Sequence, residues 1–381
     1  MLPKQIVDAH GVRLRPFRQS DADDIVAGCN DPLTAEFLPH LPRPYTHADA
    51  LWWIKEGSTG VWESGGAAYA IADPATDRLL GAVGLHSASA NATQAEVGYW
   101  VGPWARGHGV ATAAATALAD WAFARGFARL ELTTHPDNAA SQRVALAAGF
   151  QREGERRGAG VLPDGGRYDL IAWSRLATDP AGPTARLLPD LPDDGYLGGQ
   201  LTDGVIILRP LGPDDADFLH ALLTQPEVVA TSVPPVAPDQ AEIALRCRRA
   251  HMRWLAGERL DLVIVDAASG TSTGDIGLYY QEPQTGQAMI GYSMLRAWRG
   301  RGYTTRAARL LARWAFAEAG IARLIAGTNP DNAASQRVLE RVGFRREGYL
   351  RGRLPAAGPG RADDVLYGLL PEDLRDALPT R

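Results

Sequence analysis

Arg106-Gly107-His108-Gly109-Val110-Ala111 runs directly into an Ala-rich helical stretch, Thr112 to Arg125, that ends at Gly126. Glycine lets a backbone approach a ligand closely, and the first turn of a helix leaves N–H groups unpaired at the positive end of its macrodipole. Together they make a cradle for a phosphate or pyrophosphate, while a lone Gly-x-Gly before a helix is equally an ordinary tight turn. A second copy adds weight to the cradle: Arg299-Gly300-Arg301-Gly302-Tyr303-Thr304 opens another helical stretch, Thr305 to Ala319, closed by Gly320.

Working outward from the loops, the whole chain repeats. Ile207-Leu208-Arg209-Pro210 answers Val12-Arg13-Leu14-Arg15-Pro16, and Asp215-Ala216-Asp217 answers Asp21-Ala22-Asp23. The period is that of a domain, not of a solenoid, and 381 residues suit two domains of ordinary size. We expect a first domain over 1–176, a Pro/Asp/Gly-rich linker over 177–201 and a second domain over 202–381. Hydrophobic residues at 45% and charged residues at 22% are those of a soluble globular protein. No apolar run reaches the length of a membrane span, and Met1 to Val12 lacks the pattern of a signal peptide, so a cytoplasmic protein without a membrane partner is expected. Cys29 and Cys247 occupy non-corresponding places and read as small buried hydrophobes rather than a disulfide or metal set. A net charge of −5 argues against a nucleic-acid partner and suits cationic substrates.

In each half, alternating strand segments lead to the glycine loop. Ala68–Ala72 and Leu80–Leu85 read as a hairpin through Asp73-Pro74, followed by a strand Glu96–Val101; Leu262–Asp266, Gly274–Leu278 and Met289–Met294 are the second-half equivalents. Helical segments precede them at Ala48–Glu56 and Gln240–Leu255, and these two regions differ most between the halves. After the long helix comes a strand, Arg129–Thr134, then Pro136-Asp137-Asn138-Ala139-Ala140-Ser141-Gln142-Arg143-Val144, a capped helix start that stops at Gly149-Phe150. Pro330-Asp331-Asn332-Ala333-Ala334-Ser335-Gln336-Arg337-Val338 repeats that phrase before Gly343-Phe344. A last strand is expected at Tyr168–Trp173 and Asp364–Leu369.

This order of elements resembles the GNAT acyltransferase superfamily, and the Pro-Asp-Asn-Ala-Ala-Ser…Gly-Phe…Glu-Gly phrase, with Glu153-Gly154 and Glu347-Gly348, resembles its Rim-type branch, which acetylates ribosomal-protein N-termini. The likeness covers nearly all of both halves. It implies an α/β (mixed α+β) fold of two tandem domains, each a splayed, mostly antiparallel central sheet flanked by helices. It also implies acetyl-CoA as acyl donor, with no metal. The family's pyrophosphate signature is matched by Arg106, Gly109 and Ala111, with Gly107, His108 and Val110 completing the loop. In the second half Arg299 and Gly302 match, with Gly300, Arg301 and Tyr303 in the loop, but Thr304 stands where Gly or Ala is expected. The resemblance also implies that Asn138 and Asn332 hold the pantetheine arm. Backbone groups near Trp100 and Val101, and at Met294, would bind the same arm, while Ser141 and Ser335 would be general acids toward the departing thiolate. From the residues alone, Asn138 reads as a helix N-cap and Ser141 as a first-turn residue.

Direct attack of an amine on a thioester needs a proton acceptor and stabilisation of the oxyanion. Glu96 stands where family members often carry a carboxylate; on its own it reads as a solvated strand residue. Its second-half counterpart is Met289, which takes no proton, leaving Asp275 or Glu282 as base, a neutral incoming amine, or a unit that binds without catalysing. His135, replaced by Asn329, is a second-rank base, and Tyr99 and Tyr292 read as core. The expectation is an N-acetyltransferase whose N-terminal domain is the better catalyst. Its acceptor is a protein N-terminus or a small amine, and it acts as a monomer of two pseudo-equivalent domains or as a homodimer. The competing reading is a non-catalytic acyl-CoA sensor or scaffold.

Overall fold

The repeated Leu-Arg-Pro and Asp-Ala-Asp phrases form one device. Arg15, at the end of a strand, is 1% exposed, and its guanidinium donates to both carboxylate oxygens of Asp21 at 2.8 Å. Arg209 meets Asp215 in the same bidentate way, at 2.8 and 2.6 Å. A buried charge must be paired, so each phrase fixes where the strand that carries its arginine meets the unit's first helix. The computed structural model describes residues 2–86, 93–192 and 199–374, and its contacts divide the chain into two units, 1–185 and 186–381.

In the first unit β1 (Val7–Ala9) and β2 (Val12–Arg15) precede four short helices, α1 (Ala22–Cys29), α2 (Pro32–Phe37), α3 (His47–Trp52) and α4 (Ser58–Glu63). There follow β3 (Ala67–Ala72), β4 (Leu79–His86), β5 (Gln94–Val101), α5 (Val110–Phe123), β6 (Arg129–Thr134), α6 (Ala139–Ala147), β7 (Gln151–Val161) and β8 (Arg167–Leu176). The strands form one sheet in the order β1-β2-β3-β4-β5-β6-β8-β7. Alanines 114, 115, 117, 119 and 122 let α5 lie close against it, while Trp121 joins Trp62 and Tyr69 in an edge-to-face trio with centroids 5.0 to 6.1 Å apart.

The second unit repeats the plan. It comprises β9 (Leu201–Thr202), β10 (Ile206–Pro210), α7 (Ala216–Leu223), α8 (Pro226–Val229), α9 (Gln240–Leu255), β11 (Arg259–Asp266), β12 (Ser272–Glu282), β13 (Gln287–Met294), α10 (Tyr303–Ala317), β14 (Arg323–Thr328), α11 (Ala333–Val342), β15 (Arg345–Pro355) and β16 (Arg361–Leu369). Its sheet order is β9-β10-β11-β12-β13-β14-β16-β15. The expected α/β class with two tandem, helix-flanked, mostly antiparallel sheets is what the chain adopts. The sequence reading passed over β7 and β15, whose runs of Arg, Glu and Gly carry no apolar stripe because each lies at a sheet edge.

The stretch read as a linker is packed on both flanks. Ala177 N–H donates to Ala128 C=O and Thr184 N–H to Leu146 C=O in the first unit. From the other side Leu188 and Leu191 enter the core of the second, where Trp254 Nε1 donates to Pro189 C=O at 3.1 Å. The unit boundary thus falls inside that stretch, at 185/186, because its leucines are apolar enough to be drawn into cores. Positions 193–198 of the stretch lie outside the described residues.

In each sheet one neighbouring pair is parallel. β5 and β6 pair only through Gln94–Arg129, Ala95–Leu130 and Glu96–Glu131, while β5 continues against β4 as far as Val101. Past Glu96 the two strands part and open a cleft. β13 and β14 do the same, pairing from Gln287–Arg323 only as far as Met289–Ile325.

Candidate functional site

Each glycine loop lies between the cleft strand and a long helix. Gly107 and Gly109 have φ of +77° and +74°, and Gly300 and Gly302 have +76° and +79°. At none of the four would an added Cβ meet an atom within 4 Å. These glycines are therefore required by their left-handed backbone, and the space beside them is open for a ligand. Gly109 and Gly302 are the N-caps of α5 and α10, and the first helical bonds run from Ala113 N–H to Gly109 C=O and from Arg306 N–H to Gly302 C=O. The first-turn N–H groups, those of Val110 and Ala111 or Tyr303 and Thr304 among them, lack intrahelical partners and point at that space, which fits a pyrophosphate. His108, Gly109 and Val110 also border an open depression of about 530 Å³.

The signature arginines face elsewhere. Arg106 Nε donates to Val101 C=O at 3.2 Å, and its Nη2 engages Asp31, the N-cap of α2, and Thr34 Oγ1. Arg299 Nε donates to Met294 C=O at 3.0 Å and Nη1 pairs with Glu227 on α8. Each guanidinium clamps the strand end to a helix of the other flank. Arg301 lies 4.5 Å from the Trp298 ring centroid, and Tyr303 Oη donates to Asp266 at 2.5 Å, so the second loop is tied by side chains with no counterpart in the first.

Backbone direction decides which strand residues serve the cleft. Gly102 N–H donates to Leu80 C=O on β4. By the two-residue alternation of a strand Trp100 N–H also faces β4, whereas Tyr99 and Val101 turn their peptide groups toward the cleft, the Val101 carbonyl accepting from Arg106. The Trp100 indole packs on α1, where a Cβ at Gly28 would lie 2.2 Å from it. A backbone role thus suits Val101 and not Trp100. In the second unit Leu295 N–H donates to Thr273 C=O, so the peptide of Met294 faces the cleft while its side chain is buried.

Glu96 sits at the last parallel pair, where the cleft opens. Its Oε1 accepts from Thr133 Oγ1 at 2.7 Å, and its register partner on β4 is His86. Beyond it on the same face come Gly84 and Gly98, opposite each other, and the His86 ring lies over both, 3.2 and 3.3 Å from where their Cβ atoms would stand. The second unit repeats the glycine pair with Gly277 and Gly291 but places Met289 at the position of Glu96. Two residues past that pair is Asp275, 8% exposed, with Oδ2 3.3 Å from Arg246 of α9 and Oδ1 without a hydrogen-bond partner. Arg246 also donates to Asp261 at 2.7 Å, and Arg259 pairs with Asp261 at 2.6 Å. Burial, with Asp261 nearby, pushes the Asp275 carboxyl above its ordinary value, against the pull of Arg246. The first unit has Ala82 where Asp275 stands, opposite Trp100 instead of Ser293. Glu282 lies at the β12–β13 turn, bonded by Gln287 and Thr285, away from the glycine pair.

On the opposite wall, Asn138 Oδ1 accepts the Ser141 N–H at 3.0 Å and Asn332 Oδ1 accepts the Ser335 N–H at 3.1 Å, capping α6 and α11. Ser141 Oγ lies 2.8 Å from Tyr99 Oη, and Ser335 Oγ lies 2.9 Å from Tyr292 Oη. Tyr99 and Tyr292 are thus hydroxyl partners across the cleft and not core residues, a role to which their recurrence in both halves points. His135 Nδ1 accepts the Asp137 N–H at 3.1 Å, and Asn329 Oδ1 accepts the Asp331 N–H at 2.8 Å, so both serve the same turn.

The family model described as "Acetyltransferase (GNAT) domain" matches residues 12–151 and again 206–345. The probable N-acetyltransferase YjcK of Bacillus subtilis is 41% identical over 86 residues, covering 23% of this chain and 48% of that protein. The chain thus spans about half the length of that relative. The putative ribosomal N-acetyltransferase YdaF of the same organism is 31% identical over 171 residues, covering 43% of this chain and 91% of that protein. The solved structure of Mycobacterium smegmatis RimJ in complex with CoA-disulfide is 25% identical with a TM-score of 0.41, covering 46% of this chain and 90% of that one.

Proposed function

We propose that this chain, which belongs to the GNAT acetyltransferase family through both of its halves, acetylates a primary amine, with the N-terminal unit the better catalyst. The observation that carries the reading is the pairing of one cleft with one carboxylate: Glu96 stands at the mouth of the β5–β6 splay, opposite His86, with Thr133 holding its Oε1. Acetyl-CoA, when bound, supplies the thioester. Gly107, Gly109 and the first turn of α5 would hold its pyrophosphate, and the cleft-facing peptides of Tyr99 and Val101 its arm. The amine enters beside Glu96, which accepts its proton, and the Ser141 hydroxyl serves the leaving sulfur. Held by one hydrogen bond and partly exposed, the carboxylate keeps lone pairs free for the amine directly or through one water.

For the acceptor we propose a peptide N-terminus. YdaF is named as a putative ribosomal N-acetyltransferase. The second unit supports a different reading, coenzyme binding with weak or no turnover. Met289 takes no proton, and Asp275 is already engaged by Arg246.

Thiol release across a panel of peptide N-termini and small amines tests the function. Binding of acetyl-CoA without turnover on any amine would make the chain a sensor instead. Glu96→Gln should lower turnover about 10²- to 10⁴-fold, the range of a lost general base, while Met289→Ala should change it little. A larger loss from the Met289 change would overturn the assignment of the N-terminal unit.

A further inference from the structure

Besides the capping asparagines and the loop arginines, one hydroxyl pair is the same in both clefts. Glu96 becomes Met289, Ala111 becomes Thr304, Trp100 becomes Ser293 and His135 becomes Asn329, yet Tyr99 with Ser141 returns as Tyr292 with Ser335. The geometry returns too, with Oη–Oγ separations of 2.8 and 2.9 Å and a longer contact from each phenol to the serine's own carbonyl, 3.2 and 3.4 Å. Each pair spans the splay: the tyrosine stands on the strand that has lost its parallel partner, and the serine on the first turn of the helix beyond the other strand. A packing tyrosine needs no partner of fixed identity across a gap, whereas a hydroxyl that must point one way does.

Proton accounting gives the direction. Burial pushes both phenols above their ordinary value, so they remain protonated and act as donors. The phenol is the more acidic of the two hydroxyls and the serine oxygen its nearer acceptor, at a normal O–H···O distance. The serine amide is committed to the Asn138 or Asn332 cap. With its oxygen accepting from tyrosine, the serine's own proton is the one group of the pair left to turn into the cleft.

We propose that Tyr99 and Tyr292 are positioning residues that hold the Ser141 and Ser335 hydroxyls with their protons directed at the sulfur of a departing thiol. This rests on the acetyl-transfer reading given above. In the N-terminal unit the new N–C bond forms as the C–S bond breaks. The amine's proton goes to Glu96 and from it to solvent, the sulfur takes the Ser141 proton, and solvent returns a proton to the serine. The phenol gives up no proton.

Three full-length variants test this: Tyr99→Phe/Tyr292→Phe, Ser141→Ala/Ser335→Ala, and the four-fold combination. The equilibrium readout is coenzyme A affinity by calorimetry from pH 7 to pH 10, across the ordinary thiol range near 8.5, with acetyl-CoA as the probe that carries no ionisable thiol. In the unaltered chain coenzyme A should tighten relative to acetyl-CoA as its thiol ionises. Both double variants should lose that gain while binding acetyl-CoA unchanged. The kinetic readout is turnover with acyl donors of different thiol leaving groups. The serine variant should lose about 10²-fold with coenzyme A and far less with a more acidic thiol, and the tyrosine variant should lose about tenfold in kcat at unchanged KM. The four-fold variant should be no worse than the serine variant. If the serine variant shows the thiol dependence and the tyrosine variant does not, the positioning role is overturned. If neither shows it while Glu96→Gln is inactive, the serine assignment itself falls. A melting temperature lowered by the tyrosine change, with the pH gain intact, would reduce the pair to packing.

Discussion

Asn138 holds the Ser141 amide, and that bond is a helix cap before it is anything else. Asn138→Ala should therefore lower the stability of the first unit by about 1 kcal/mol, measured by chemical unfolding. Asn138→Ser, which still caps, separates the roles: unchanged stability with weakened acetyl-CoA binding in calorimetry would assign the side chain to the ligand as well. The Glu153-Gly154 phrase illustrates how a legible motif can carry an unexpected cause. Glu153 receives Arg129 Nη1 and Nη2 at 2.9 and 2.8 Å and Ser174 Oγ at 2.8 Å, and Gly154 follows at a register shift between β7 and β8. Hydrogen bonds from Arg129 and then Ser174 hold the carboxyl below its ordinary 4.5. A lowered carboxyl contributes stability that is complete above its unfolded value and is lost as pH falls through the folded one. Glu153→Gln should thus narrow the stability difference between pH 6 and pH 3, read from denaturation midpoints; an unchanged difference would show the pair to be inert. The types and positions of Arg106 and Asn138 were legible because a motif names them. Where their side chains go was not, since Asp31 and Ser141 are chosen by packing.

At the scale of the element, the loop-to-helix junction combines two requirements that sequence shows together: a residue free to adopt positive φ, and a helix start. Gly109 and Gly302 satisfy the first with no steric neighbour. Gly109→Ala should cost about 1–2 kcal/mol of conformational strain, and the matching loss of acetyl-CoA affinity should come mainly from the displaced first turn of α5. A calorimetric titration in which affinity is unchanged would show that the loop does not touch the ligand. Elements with a strong apolar period were legible close to their true bounds: α9 runs over Gln240–Leu255, and α5 and α10 begin two residues before the stretches expected from sequence. The edge strands β7 and β15 were not, because hydrogen bonds and ion pairs such as Arg129–Glu153 replace the apolar stripe there. The helix expected over Ala48–Glu56 is broken differently from its reading: α3 ends at Trp52 and the backbone continues as one π-turn, Trp53–Gly57.

At the scale of the whole molecule, duplication was legible because the same buried devices had to be written twice. Asp21→Ala strips the bidentate partner from buried Arg15 and leaves it Asp77 at 3.0 Å, so it should destabilise its unit by about 1.5–3 kcal/mol. In scanning calorimetry the change should lower the transition of the first unit and leave that of the second in place, and a uniform shift of the whole trace would refute independent cores. What differs between the units was less visible. Arg246, Arg259, Asp261 and Asp275 come from α9, β11 and β12 and meet only through folding, so no local window announces them.

The packed flanks of the segment between the units set the rule for cutting this chain. A C-terminal fragment begun at 202, where the repeat seems to restart, would leave behind Leu188 and Leu191, whose side chains fill its interior, and would present their vacated places to water. Cut at 185/186 instead, each piece keeps the leucines and hydrogen bonds that close it. Any assay that assigns binding or turnover to a single half inherits its validity from that choice of residue.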